Sequence, residues 1–175
     1  RPLWSGTRKD ALRGVLARGR FSGTAADSPP IARVVLALAE GPHMDVAIRR
    51  AVELAREHQV ELCGLAVIDL PRLMNVGPVP IGAGWHAQPM RERRMAQAGR
   101  AAADVLRRFE AAARASGVAW SSRFIEGRPR RVLREACRED DLLLVAAEGW
   151  FDQGVLRERT HVASRISWAG FHPMQ

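Results

Sequence analysis

Val34-Val-Leu-Ala-Leu38, followed at once by Ala39-Glu-Gly-Pro42, is the stretch that decides the fold. Its apolar residues run on without the alternation of a half-exposed strand, so both faces of the strand are hidden. That situation belongs to a parallel sheet with helices on its two sides. Gly41-Pro42 then breaks the strand and hands over to a helix from Asp45 to His58. There Val46, Ile48, Ala51, Val52 and Ala55 form an apolar stripe, with Arg49, Arg50, Glu53 and Arg56 largely opposite.

Outward from this unit the same alternation recurs. Glu61 to Ile68 is a second buried strand, ended by Asp69-Leu-Pro71. A loop from Asn75 to Pro89 carries Gly77, Pro78, Pro80, Gly82 and Gly84; its length suits a lid or binding loop. Arg91 to Ser116 reads as the longest helix, with Met95, Ala98, Ala102, Val105, Leu106, Phe109 and Ala113 on the helical period and Ser116-Gly117 as its stop. Val118 to Ile125 is a third strand, and Pro129 to Arg138 a short helix with proline in its first turn. Asp141 to Ala146 is a fourth buried strand. Strands alternating with helices imply parallel pairing through right-handed crossovers. The expected fold is therefore α/β: an open doubly wound parallel sheet, flavodoxin- or Rossmann-like, with any ligand at the carboxyl ends of the strands.

Composition narrows the function classes. The chain has 175 residues, 47% hydrophobic and 26% charged, which suits one soluble-type domain of residues 31–175 with a basic arm and linker at 1–30. Within the arm, Leu12, Val15 and Leu16 are spaced for a short helix between Asp10 and Arg20. The net charge is +8, and of 27 basic residues only Lys9 is lysine. Six of the 27 (Arg1, Arg8, Lys9, Arg13, Arg18 and Arg20) fall in the arm. No aromatic platform or base-reading motif accompanies them, so specific nucleic-acid binding is not expected. No stretch approaches the roughly 20 apolar residues of a membrane span. Cys63 and Cys137 have neither metal nor disulfide-framework spacing and read as small buried residues in a reducing, cytoplasmic setting.

Chemistry-bearing patterns are few. His43, His58, His86, His161 and His172 are scattered, without a ligand pair at metal spacing. Glu139-Asp-Asp141 precedes a strand at its amino end, the wrong end of an open sheet for chemistry, and reads as a solvated turn. A Walker loop and a serine nucleophile elbow are both missing. The expectation is no catalytic residue, no metal site and a chain that leans away from being an enzyme.

Residues 31 to about 150 resemble the universal stress protein family. The resemblance rests on Val34-Val-Leu-Ala-Leu38 with its Gly-Pro turn, the Ala47–Ala55 helix, Leu65-Ala-Val-Ile-Asp69 and Ala115-Ser-Gly-Val118. Glu126-Gly-Arg-Pro129 and Asp140-Asp-Leu-Leu-Leu-Val145 complete it. The insert from Asn75 to Ala87 looks like a subgroup in which two such domains often occur in tandem. The resemblance implies a cytoplasmic stress-response domain, often dimeric, and in some members ATP or AMP at the strand tips. On that resemblance the candidate site comprises Ala39, Glu40 and Gly41 after the first strand, Val67 and Ile68 at the second, and Gly149, Gly154 and Ser164 after the fourth.

The nucleotide motif is degraded here. Ala39 stands where the family's aspartate aligns, with Glu40 one residue later, and such a shift turns the side chain to the other face. The phosphate loop survives as Gly149-x4-Gly154-x8-Ala163-Ser164, with alanine for a glycine where a backbone amide must approach phosphate closely. Glu148 and Asp152 add repelling charge. The family's fifth strand is not evident: Ala169 to Met174 resembles its approach, then the chain stops. The strand is taken as missing or contributed from elsewhere, and a bare edge favours a homodimer or larger assembly. The expected function is a stress-type regulatory domain acting through protein association, without the family's usual ATP binding. The alternatives are an adenine-nucleotide-binding switch, or a cytosolic regulatory domain of a larger transporter-type assembly.

Overall fold

The computed structural model describes residues 15–18, 31–77, 82, 84–146 and 148–156. Its elements are β1 (Val15–Arg18), β2 (Arg33–Leu38), α1 (Met44–His58), β3 (Glu61–Asp69), α2 (Leu70–Met74), α3 (Gly84–Ser116), β4 (Trp120–Gly127), α4 (Pro129–Ala136) and β5 (Asp141–Ala146). They build one sheet in the order β1-β5-β2-β3-β4. β5, β2, β3 and β4 are parallel, and β1 is antiparallel to β5. Among the parallel strands the first in sequence, β2, is central; the second and third extend to one side and the fourth lies on the other. Of the two windings anticipated, this is the Rossmann type, and the order reverses between β2 and β5.

The buried runs behave as their composition demands. Residues 34–38 of β2 and all six residues of β5 are buried, and so is every residue of β3 after Glu61. α1 presses Met44, Ala47, Ile48, Ala51 and Ala55 into the same core. α3 contributes Ala98, Ala102, Val105, Phe109 and Ala113, all fully buried. A close approach explains Gly64: a Cβ there would lie 2.5 Å from the Phe109 ring, so only glycine lets that ring reach β3.

Three sequence expectations change. Val15–Arg18 is a strand, not part of a helix: pairing with Ala146 back to Leu143 overrides a local helical spacing. The position beyond β5, expected bare unless filled from elsewhere, is thus taken by this chain's own arm. The second change is at the loop after α2, which is shorter than expected. α3 begins at Gly84 and carries Pro89 inside it, and Arg91 and Arg94 donate to the carbonyls of Leu73, Met74 and Asn75 that end α2. At 33 residues α3 is about 50 Å long. The third change concerns Asp141, which does not belong to a solvated turn. It is buried opposite Arg33, its two oxygens accepting from Arg33 Nε at 3.2 Å and Nη2 at 2.6 Å, while Arg138 N–H donates at 2.9 Å. Chiefly through the Asp141 hydrogen bond, the Arg33 guanidinium pKa is raised above its ordinary value. Asp140 and Glu139 are exposed.

Candidate functional site

The carboxyl ends of β2 and β3 end in Ala39, Glu40 and Gly41 on one strand and Val67, Ile68 and Asp69 on the other. Ala39, Val67 and Ile68 are buried and belong to the core. Asp69 is the N-cap of α2, its side chain accepting from Arg72 N–H at 3.2 Å. What lies over these ends is the segment that follows β5. Gly149 leaves β5 against Gly41, so closely that a Cβ on Gly41 would stand 2.5 Å from the Glu148 carbonyl oxygen and 3.0 Å from Gly149 Cα.

From there the chain crosses the strand ends. Trp150 N–H donates to the Glu40 carbonyl at 2.6 Å, and Asp69 N–H donates to the Phe151 carbonyl at 2.8 Å. Between them Gln153 turns inward: its Nε2 donates to the Val67 carbonyl at 2.7 Å and its Oε1 accepts from Glu40 N–H at 3.0 Å. One amide therefore satisfies a donor of β2 and an acceptor of β3. It does so from a left-handed backbone, φ +54, that a non-glycine residue seldom adopts, and Gly154 follows at φ +74. Phe151, Asp152 and Gln153 are buried. Asp152 is almost wholly enclosed and is held by Arg72 Nε at 2.8 Å and by Gly154 N–H at 3.0 Å.

The structure thus brings together Ala39, Glu40, Gly41, Val67, Gly149 and Gly154, six of the eight predicted site residues. Ile68 turns aside into a small cluster with Leu73, Ala98 and Ala102. Ser164 lies outside the described residues, as do Ala163 and the stretch from Ala169 to Met174. The Glu40 carboxylate reaches toward Arg108 of α3 at 3.7 Å, and Arg108 is anchored by Asp45 at 2.7 Å. Sequence reasoning missed Gln153 and the Arg72–Asp152 pair. Asp152 looked like a charge set against phosphate, whereas Arg72 neutralises it. A glycine on either side of a four-residue segment, Gly149 and Gly154, was the one available signal of a tight turn.

The close approach at Gly41 is directly testable. Gly41→Ala should lower unfolding free energy by about 1–3 kcal/mol, because the methyl group meets backbone and not a movable side chain. Chemical denaturation followed by circular dichroism reads it; an unchanged midpoint would mean the 149–154 segment does not lie against Gly41.

The chain matches no family model and no curated protein. Solved structures similar to it include "Universal stress protein UspA from Lactobacillus plantarum", at 17% identity and a TM-score of 0.48, covering 70% of this chain and 81% of that one. The α/β assignment itself rests on the strand order and parallel registers given above. Among the described residues no helix is long and apolar enough to cross a membrane.

Proposed function

We propose that this chain is a regulatory domain of the universal-stress type that acts by associating with protein, and that it does so without holding ATP or AMP at its strand tips. The observation that carries the reading is the segment from Gly149 to Gly154, which occupies the crevice with the chain's own groups. In a doubly wound sheet a ligand sits outside the carboxyl ends of the strands, at the reversal of strand order. Here the Glu40 N–H and the Val67 carbonyl at those ends are already bonded to Gln153. Gly41, at the mouth between β2 and β5, is in contact with Glu148 and Gly149.

An adenine nucleotide does not fit these residues as placed. A purine would have to displace the Gln153 amide, and its phosphates would meet the exposed Glu148 carboxylate. Association is supported by large apolar side chains at the surface: Trp85 is 71% exposed and Phe124 45% exposed. Aromatic residues are enriched in interfaces. Isothermal titration of the full chain with Mg-ATP and with AMP tests the nucleotide part. No heat of binding is expected at millimolar ligand; a micromolar dissociation constant for either would overturn it.

A further inference from the structure

With β1 covering β5, the other rim of the sheet is β4, whose outer side has no strand partner among the described residues. The β3–β4 ladder fixes what that side presents. Leu62 stands opposite Trp120, and its N–H donates to the Ala119 carbonyl at 2.9 Å. In a parallel ladder Ser121, Arg123 and Ile125 then bond toward β3, while Ser122, Phe124 and Glu126 point N–H and C=O outward. Side chains alternate with the same period. Those of Trp120 and Ser122 meet Phe109 and Glu110 of α3, so Phe124 and Glu126 share the α3 face. Arg123 stands on the opposite face, which α4 covers; there a Cβ on Gly127 would lie 3.0 Å from Val132 of α4.

The two faces of this rim differ in charge. On the α4 side Arg123, Arg128, Arg130 and Arg134 are exposed, and none of them holds a carboxylate among the described residues. Only Arg131 of that group is paired, with Glu135 at 2.7 Å. The first turn of α4 contains no acid, so Arg130 and Arg131 stand where the helix dipole favours negative charge. Arg130 and Arg134, four residues apart on one helix, add like-charge repulsion. A carboxylate brought from outside relieves both. The α3 face is the reverse, with the carboxylates of Glu110 and Glu126 on the same side as the exposed Phe124 ring.

We propose that the β4 rim takes an extended acidic segment of a partner protein as an added strand, with its carboxylates on the α4 side and its apolar residues on the α3 side. Main-chain bonds to Ser122, Phe124 and Glu126 hold such a strand, and its alternate side chains give selectivity. One carboxylate stands beside Arg123 in the middle of β4, and a neighbouring apolar residue packs against Phe124. The opposite phase sets acid against Glu126, and like charges side by side are destabilising. A nucleic acid cannot complete the ladder, and Glu110 and Glu126 oppose its phosphates. The inference rests on the association proposed above and names the chemistry of the partner.

The probe is a capped, fluorescein-labelled peptide of alternating glutamate and valine, as long as the eight residues of β4, read by anisotropy against the full chain. Arg123→Glu should weaken its binding roughly tenfold and leave the melting midpoint in place. The variant should prefer the same peptide with lysine for glutamate. Arg49→Glu, an exposed change on α1, should bind as the parent chain does. The ladder has its own readout: the glutamate amides point to one edge of the peptide and the valine amides to the other. N-methylation of one set should abolish binding and of the other set should spare it. No binding by the parent chain, equal affinities for the two methylated peptides, or a dimer in sedimentation velocity that the peptide fails to dissociate would each overturn the inference. So would duplex DNA or phosphatidylserine vesicles that bind more tightly than the peptide and lose affinity in Arg123→Glu. Titration with Mg-ATP reads the nucleotide part separately, so failure of the peptide and failure of that part are told apart.

Discussion

Phe109→Ala should lower the unfolding free energy by about 3–5 kcal/mol, the usual range for removing a fully buried phenylalanine. Phe109 is the largest fully buried side chain among the described residues, and no part of it reaches solvent. Its ring fills the space left by Gly64 on β3 and meets Trp120 of β4 at an interplanar angle of 83°. α3 is thereby locked to two strands at once, and truncation opens a cavity between helix and sheet. For a domain of this size the melting midpoint should fall by roughly 6–20 °C. Gly64→Ala should also destabilise, because the new methyl group stands 2.5 Å from a ring carbon. The two changes should not add: the methyl of Gly64→Ala partly fills the hole left by Phe109→Ala, so the double variant should be more stable than the sum predicts. A loss below about 1 kcal/mol for Phe109→Ala would mean that the helix is not seated on β3 in this way.

Asp141→Ala should cost about 2–4 kcal/mol, toward the lower end for a broken buried ion pair. The Asp141 side chain is 1% exposed and that of Arg33 20% exposed. Removing the carboxylate leaves the guanidinium with the Ala136 carbonyl at 3.2 Å as its remaining acceptor, and deprives Arg138 N–H of its partner. Because Arg33 keeps some contact with water, part of the penalty is screened. The double change Arg33→Met with Asp141→Leu should recover most of the loss, since paired apolar replacement avoids a stranded charge. Urea denaturation of the two variants measures both effects. If Asp141→Ala matched the parent protein, the start of β5 would not be held to β2 by this pair.

The central sheet was legible because its evidence is local. Val34–Leu38 and Leu142–Ala146 are apolar without alternation, and such runs are read from composition alone. The α3 core positions follow from period, and the Pro129 start of α4 from proline's fixed φ. What escaped was set by partners distant in sequence. Val15–Arg18 satisfies a helical spacing and becomes a strand only because β5 offers an edge. Gln153 bonds Glu40 and Val67, residues from two other strands, and nothing beside it in the chain announces either. Asp141 sits in an acidic run that looks like a surface turn until Arg33 is placed opposite it. Six of the eight candidate site residues were found at one place because the strand ends fix them. The segment covering them could not be foreseen, since its fit depends on the shape of the crevice.

The antiparallel strand β1 has a consequence for biosynthesis. Residues 15–18 are made before any strand of the parallel sheet, yet they pair with residues 143–146, the last in sequence of the described strands. Nascent β1 must therefore wait, unpaired, while β2, β3 and β4 emerge and begin to fold behind it. Contacts so remote in sequence form late and slowly. This early segment is thus the closing stitch, and a ribosome stalled before residue 143 would expose β1 with no edge on which to settle.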